Sequence, residues 1–467
     1  MASAHPSPRT GWQLPVLLLL CAGAGLALRI AAAQGDYWLD EAWSAIFARE
    51  ARTPGDVLFA INHDNNHFLN SFWLQFVGWG GPPLLGRALS IASGTAAIVL
   101  AGLIGARRGL TAATITATLF ALSPILVTYG SEARGYAPMA LALLAAFWIV
   151  DRELFGAPLR HAAQWLGGIT LFGMLAHVSM LFGVAALSGW VLIEHGRRMP
   201  ARPALLATMR LMGRAILAAG AVLLLILLGS LASPEGWRMG SLTAFSWPAF
   251  VDAVAHMLAF TVGWPIPAGL PLLALLLLPL ALRRAGPLAD RRPFFLIAIL
   301  GLPLLVALFR PDNSAYPRYY LLVAIALLIL LGDLLAALTV RRNRAGPVVA
   351  GLLMTGCLVI DAGIIASRRG DPGQAVDAMI RRAPGGAAVM IDTGRDSAVL
   401  ESAAASRVYQ LLAVDSCVPA RFVYLANNGT EALPGVALRC GAAFRPIASG
   451  QVYGLSGMDW QLYERVR

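Results

Sequence analysis

Residues 14–44 read LPVLLLLCAGAGLALRIAAAQGDYWLDEAWS, an apolar run that ends at Ala33 and is followed at once by Asp36, Asp40 and Glu41. The run is long enough to cross a bilayer, which takes roughly 20 predominantly apolar residues. It has no basic leader beyond Arg9 and further apolar runs follow it, so it reads as an uncleaved first transmembrane helix rather than a signal peptide. Acids at the edge of a membrane helix are costly unless solvated or used, which makes this cluster the first functional candidate.

Composition extends that reading to the whole chain. The 467 residues are 58% hydrophobic and 13% charged, with a mean hydropathy of +0.68. A soluble domain carries about 25% charged residues, so the chain is a polytopic membrane protein. The formal net charge is +11, there is no lysine, and the arginines sit in short clusters between apolar runs. That distribution signals topology rather than a groove for nucleic acid. Arginine in place of lysine, with abundant Ala and Gly, fits a bacterial, GC-rich origin.

About eleven runs qualify as spans: 14–33, 85–105, 111–129, 135–150, 163–178, 179–193, 214–232, 266–282, 293–309, 319–339 and 346–366. With the N-terminus inside, the cytoplasmic loops hold Arg107-Arg108, Arg152 with Arg160, and Arg197, Arg198, Arg202 and Arg210. They also hold Arg283-Arg284 with Arg291-Arg292, and Arg341-Arg342 with Arg344. The one contrary pair is Arg368-Arg369, after the last span. Arginine asymmetry therefore predicts a cytoplasmic N-terminus and an exported C-terminus in the bacterial inner membrane.

The exported side then receives a first loop, 36–84, whose aromatic stripes (Trp43 and Phe47; Phe68, Phe72, Trp73, Phe76 and Trp79) suit helices lying in the interface. It receives a second loop rich in Trp and Pro around 233–265, and a tail from 370. Strand-like runs at Ala387–Ile391, Arg421–Ala426 and Gln461–Val466 alternate there with candidate helices. The division is thus a transmembrane domain, 1–369, and a small soluble α/β domain, 370–467. Cys417 and Cys440 share that tail, where an oxidising compartment favours a disulfide, while Cys21 and Cys357 lie in apolar runs. Asn428-Gly-Thr430 matches a glycosylation sequon that is ordinarily inert in a bacterial chain. There is no nucleotide loop, dinucleotide fingerprint, His-Glu-x-x-His or serine elbow.

Four clusters can carry chemistry. Asp40 is placed to cap a helix, which accounts for one of the three acids and leaves Asp36 and Glu41. His63, Asp64, Asn65, Asn66 and His67 are suited to hydrogen-bond a substrate, and the two histidines with Asp64 leave a divalent cation open. Ser131-Glu132-Ala133-Arg134-Gly135-Tyr136 lies in a short turn where Glu132 and Arg134 either neutralise each other or serve a ligand. Arginine is the natural clamp for a phosphate. Arg318 with Tyr319 offers a second such arginine, or a snorkelling anchor with interfacial tyrosines. His177 sits at a span end, where a hydrogen-bonded structural role is the ordinary one.

A first span followed by Asp40-Glu41-Ala42, an Asn/His cluster before an aromatic helix, Glu132-Ala-Arg-Gly-Tyr136, His177 and Arg318-Tyr319 together resemble the GT-C glycosyltransferases. Within them the pattern is similar to glycosyltransferase family 39, the membrane mannosyltransferase and lipid A aminoarabinose transferase relatives. The resemblance covers roughly residues 10–340, outside the tail. It implies an all-α membrane fold and inverting transfer of a sugar from a polyprenyl-phosphate carrier to a glycan, lipid or protein acceptor. It further implies that Asp40 is the general base with Glu41 beside it, and that Arg134 and Arg318 hold the carrier phosphate. Asp36, His63, Asp64, Asn66, His67, Glu132, Tyr136, His177 and Tyr319 complete the expected substrate-binding set. One departure is that many relatives carry His-Pro-Pro where this chain has Asn65-Asn66-His67-Phe68. The rival from another class is a transporter, but transporters place polar groups at mid-membrane in broken helices and often show repeats, and neither feature is read here.

Overall fold

The computed structural model describes residues 12–466 except 234, 235, 241, 266–269, 271, 272, 274–276, 280–289 and 428–431. The eighth expected span and the sequon lie largely or wholly outside the described residues. The protein is mostly helical and polytopic. Among the described residues six helices are long and apolar enough to cross a membrane. They are α1 (Gln13–Ala32), α6 (Ala88–Ala106), α12 (Ala201–Ala232), α14 (Arg292–Phe309), α15 (Pro317–Val340) and α16 (Ala345–Ser367). They coincide with the expected first, second, seventh, ninth, tenth and eleventh spans.

The third expected span is broken into α7 (Leu110–Leu122) and α8 (Pro124–Tyr129). Pro124 has no N–H to give to the carbonyl of Phe120, and an unpaired carbonyl inside a membrane is costly. Arg29, buried in α1, fills the gap: its guanidinium donates to the carbonyls of Phe120 and Ala121 at 3.2 and 3.3 Å. Helices α9 (Tyr136–Phe155), α10 (Ala162–Ala176) and α11 (Met180–Gly196) complete this side of the bundle.

The first loop holds α2 (Leu39–Glu50), α3 (Pro54–Phe59), α4 (Phe68–Val77) and α5 (Pro83–Gly86), so its two aromatic stripes are helical. The second loop contains a helix that its Trp and Pro content concealed, α13 (Trp247–Val262). Ser246 caps it, accepting the Ala249 N–H at 3.3 Å, and Phe250, Ala253, Val254, Met257, Leu258 and Thr261 form its buried stripe.

The chain ends in a mixed sheet with two helices, α17 (Gly373–Arg382) and α18 (Gly394–Ala405). The strands are β1 (Ala387–Ile391), β2 (Leu411–Val414), β3 (Phe422–Asn427), β4 (Ala437–Arg439), β5 (Ala442–Gly450) and β6 (Asp459–Arg465), in the order β2-β1-β3-β6-β5-β4. β1 runs parallel to both β2 and β3, and the remaining pairings are antiparallel. Cys417 and Cys440 form a disulfide.

This sheet domain is bolted to the start of the chain. Ala398 and Val399 of α18 pack with Tyr37, Trp38, Leu39 and Ala42. Arg407 binds Asp36 at 2.8 Å and Asp377 at 2.6 Å. The Asp36 N–H donates to Asp371 at 3.0 Å. Gly373 permits the approach, because a Cβ there would lie 1.7 Å from a carboxylate oxygen of Asp36. Arg369, half of the contrary pair, is buried and donates to the Ala32 carbonyl (2.6 Å), the Thr128 carbonyl (3.1 Å) and the Ser131 hydroxyl (2.7 Å). Its charge is a structural bolt, which is why it breaks the arginine pattern.

At the far end of the bundle, Arg291 makes a two-pronged pair with Asp151 (both 2.9 Å) and binds Asp333 at 2.9 Å. Arg107 joins Asp151, and Arg108 joins Asp333 and Asp290. This network ties together the ends of four membrane segments.

Candidate functional site

Where the sheet domain meets the helices lies a cavity of about 830 Å³. Its wall includes Asp40, His63, Asp64, Asn65, Asn66, His67, Arg134, Tyr136, His177, Arg318 and Tyr319, which are separated by up to 279 positions in sequence. Asp36, Glu41 and Glu132 do not line it.

Asp40 and Glu41 are neighbours on α2 and point to different places, as adjacent positions on a helix do. The Asp40 carboxylate enters the cavity, where one oxygen lies 2.7 Å from Arg134 and 3.0 Å from Arg318. Arg134 is buried on the turn before α9, and Arg318 lies in the first turn of α15 beneath Tyr316 and Tyr319, whose rings its guanidinium approaches at 4.4 and 5.7 Å. A carboxylate straddled by two guanidiniums is an arrangement that a phosphate of similar shape can enter.

Glu41 is fully buried. It takes a two-pronged bond from Arg87 at 2.8 and 2.6 Å, the Ala133 N–H at 2.6 Å and, as its own helix cap, the Trp38 N–H at 3.3 Å. Capping thus falls to Glu41 and not to Asp40. Burial pushes the Glu41 carboxyl up, but the charge and hydrogen bonds of Arg87, with Arg369 and the Ala133 N–H, hold it below its ordinary value. The Ala133 contact is what links it to the cavity, because it pins the turn that carries Arg134. Asn70 binds the Ala133 carbonyl at 2.7 Å and the Ser90 hydroxyl binds the Arg134 carbonyl at 2.9 Å, fixing the same turn. Gly135 in that turn is required by closeness, since a Cβ would lie 1.8 Å from the Ala176 carbonyl oxygen.

Glu132 is buried behind the turn, 3.7 Å from Arg369 and beside Ser456. Burial raises its carboxyl to about 7, with Arg369 opposing and Glu41 adding to the rise. His67 and His177 stack at 4.7 Å, and Tyr136 lies 4.5 Å from His177 and 5.7 Å from His67. Burial, and then the charge of Arg134, keep the His67 imidazole uncharged, well below the usual range. Asn66 spends its amide on the carbonyls of Val57 and Ile61 and on the Ser71 hydroxyl, so it shapes the loop. Asn65 donates to the Asp40 backbone carbonyl at 2.9 Å. Asp64 pairs with His63 at 2.8 Å and takes the Gly240 N–H at 3.2 Å, docking the second loop onto the first. Among the described residues no three His, Cys, Asp or Glu side chains gather as a metal site.

Other contributors carried no signal in the sequence. Arg87 stands alone before α6 and is defined by Glu41, 46 positions away, and by the carbonyls of Ala33, Gly35 and Asp36. Arg395 and the segment 452–457 come from the sheet domain, beyond the region of resemblance, and complete the cavity wall.

No family model and no curated protein matches this sequence. The structure is similar to that of ArnT from Cupriavidus metallidurans bound to undecaprenyl phosphate, with a TM-score of 0.56, 14% identity, and 97% of this chain and 98% of that one covered. It is also similar to the oligosaccharyltransferase of Archaeoglobus fulgidus in the apo form, with a TM-score of 0.43, 13% identity, and 88% of this chain and 65% of that one covered. The likeness to ArnT extends through the C-terminal sheet domain, and the chain has the GT-C fold.

Proposed function

We propose that this GT-C chain is an inverting glycosyltransferase that moves a sugar from a polyprenyl-phosphate carrier to an acceptor hydroxyl or phosphate. The observation that carries the reading is Asp40 between Arg134 and Arg318 in the cavity wall. The fold shared with ArnT, solved with undecaprenyl phosphate bound, supports a polyprenyl-phosphate donor. Arginine asymmetry supports placing this cavity on the exported face of a bacterial inner membrane.

The residues divide the work as follows. The carrier phosphate engages Arg134 and Arg318, displacing the Asp40 carboxylate from them. Asp40 then accepts the proton of the acceptor hydroxyl as that oxygen attacks the anomeric carbon. The bond from the anomeric carbon to the phosphate oxygen breaks, the electron pair leaves with the lipid phosphate, and the two guanidiniums stabilise the charge gained there. A single displacement inverts the anomeric centre. Glu41 serves as a positioning residue that fixes the turn of Arg134 through the Ala133 N–H. Asp36 holds the sheet domain in place.

Incubating purified protein with radiolabelled polyprenyl-phosphate sugars and an envelope extract should yield transfer. Asp40→Asn should lower it about 10²–10⁴-fold, the usual cost of losing a general base. It should bind polyprenyl phosphate at least as tightly as the parent, because the amide no longer competes for the arginines. Full turnover by Asp40→Asn would remove Asp40 as the base.

A further inference from the structure

Beneath the two arginines the cavity wall is the stack of His67, His177 and Tyr136. His177 is satisfied: its Nδ1 accepts the N–H of Ser179 at 3.1 Å and meets the Ser179 hydroxyl at 2.8 Å. His67 is not. It is only 6% exposed, yet its Nε2 has no hydrogen-bond partner. A buried polar atom left unpaired is costly, and the side chain that carries this one is among those that line the cavity.

The charges around it narrow the ligand. Four arginines, Arg134, Arg238, Arg318 and Arg395, line the cavity against two aspartates. Asp40 lies against Arg134 and Arg318, and Asp64 against His63 and the Gly240 N–H. Resting on the glycosyl-transfer reading above, we infer that the stack is the donor-sugar subsite, that His67 Nε2 pairs with a sugar hydroxyl, and that the sugar is a neutral one rather than an amino sugar. A hydroxyl both donates and accepts, so it satisfies Nε2 in either tautomer. An ammonium only donates, and it brings a positive charge to a buried place beside Arg134 and Arg318, where burial and then those guanidiniums already keep the His67 imidazole uncharged. The ring faces give the apolar face of the sugar a surface to lie on.

Competition binding tests this without knowledge of the acceptor. Purified protein is loaded with fluorescent undecaprenyl phosphate, which is then displaced by undecaprenyl phosphate bearing a neutral pentose or the matching 4-amino-4-deoxypentose. The neutral lipid should bind roughly 2–10-fold more tightly than undecaprenyl phosphate alone, the worth of one added hydrogen bond, and more tightly than its amino counterpart. His67→Phe keeps a ring in the stack and removes Nε2, so it should erase that gain and leave affinity for undecaprenyl phosphate unchanged. Equal or tighter binding of the amino lipid overturns the inference, as does a gain that survives His67→Phe. If undecaprenyl phosphate binds and neither sugar adds affinity, the subsite is wrong while phosphate recognition stands. If undecaprenyl phosphate does not bind at all, the glycosyl-transfer reading fails and takes this inference with it.

Discussion

Arg134 and Arg318 reach the same carboxylate oxygen from two elements far apart in sequence, and each is held differently. Arg134 sits on a turn fixed by Glu41, Asn70 and Ser90, and Arg318 sits among tyrosine rings. Arg134→Ala should therefore raise the KM for a polyprenyl-phosphate donor with the fold retained. Arg134→Lys should recover part of it, because an ammonium supplies charge without the planar fork. Donor kinetics read both variants, and parent-like values in Arg134→Ala would take the residue out of phosphate binding. Glu41 behaves oppositely. Glu41→Ala leaves Arg87 as an uncompensated buried charge, a change that typically costs about 3–5 kcal/mol. It should show as a lowered melting temperature and poor yield, before any effect on chemistry is measured. From sequence, Asp40, Arg134 and Arg318 were legible because charge beside an apolar span needs a reason. Glu41 looked like a twin of Asp40, and only the turn of the helix separates them. Arg87 and Arg369 were illegible, since each is defined by partners that only the fold brings near.

The turn between α8 and α9 is the element on which the cavity depends, and it hides a titrating group. Glu132 in the folded protein titrates at about 7, against about 4.3 for an unperturbed glutamate. Its folded value is raised, so the stabilisation from its neutral form is complete below the unfolded value and is lost as pH rises through about 7. Thermal unfolding in detergent should show the parent losing stability between pH 5 and 8 relative to Glu132→Gln. Parallel curves would mean that Glu132 titrates normally. Element by element, spans are legible where apolar runs are uninterrupted. The third reads as continuous because the effect of Pro124 is hidden by Arg29, whose help comes from another helix. Helix α13 is hidden in the sequence because Trp and Pro suggest a loop. Its Pro248 lies in the first turn, where the missing N–H costs nothing, so the apolar stripe behind it was free to coil.

For the whole molecule, the arginine asymmetry carries a prediction of orientation. A phosphatase fused after Arg467 should be active and one fused after Arg344 inactive. The reverse pattern would move the cavity to the cytoplasmic face. The apolar runs make the fold class readable, whereas the sheet order is not, because β2 and β4 are short, β5 changes register after Pro446, and β3 pairs with β1 and β6 across intervening elements. The bolt between Asp36 and Arg407 has a consequence for biogenesis. Asp36 is made 371 residues before Arg407, and the α2 surface on which Ala398 and Val399 settle stays bare in between. The first loop must therefore wait through synthesis of the membrane spans that follow it before its final partner arrives. A ribosome stalled after the last span should release a chain whose first loop is cut readily by protease, and a full chain should resist. Equal protease resistance of the two chains would mean that the first loop orders without the sheet domain.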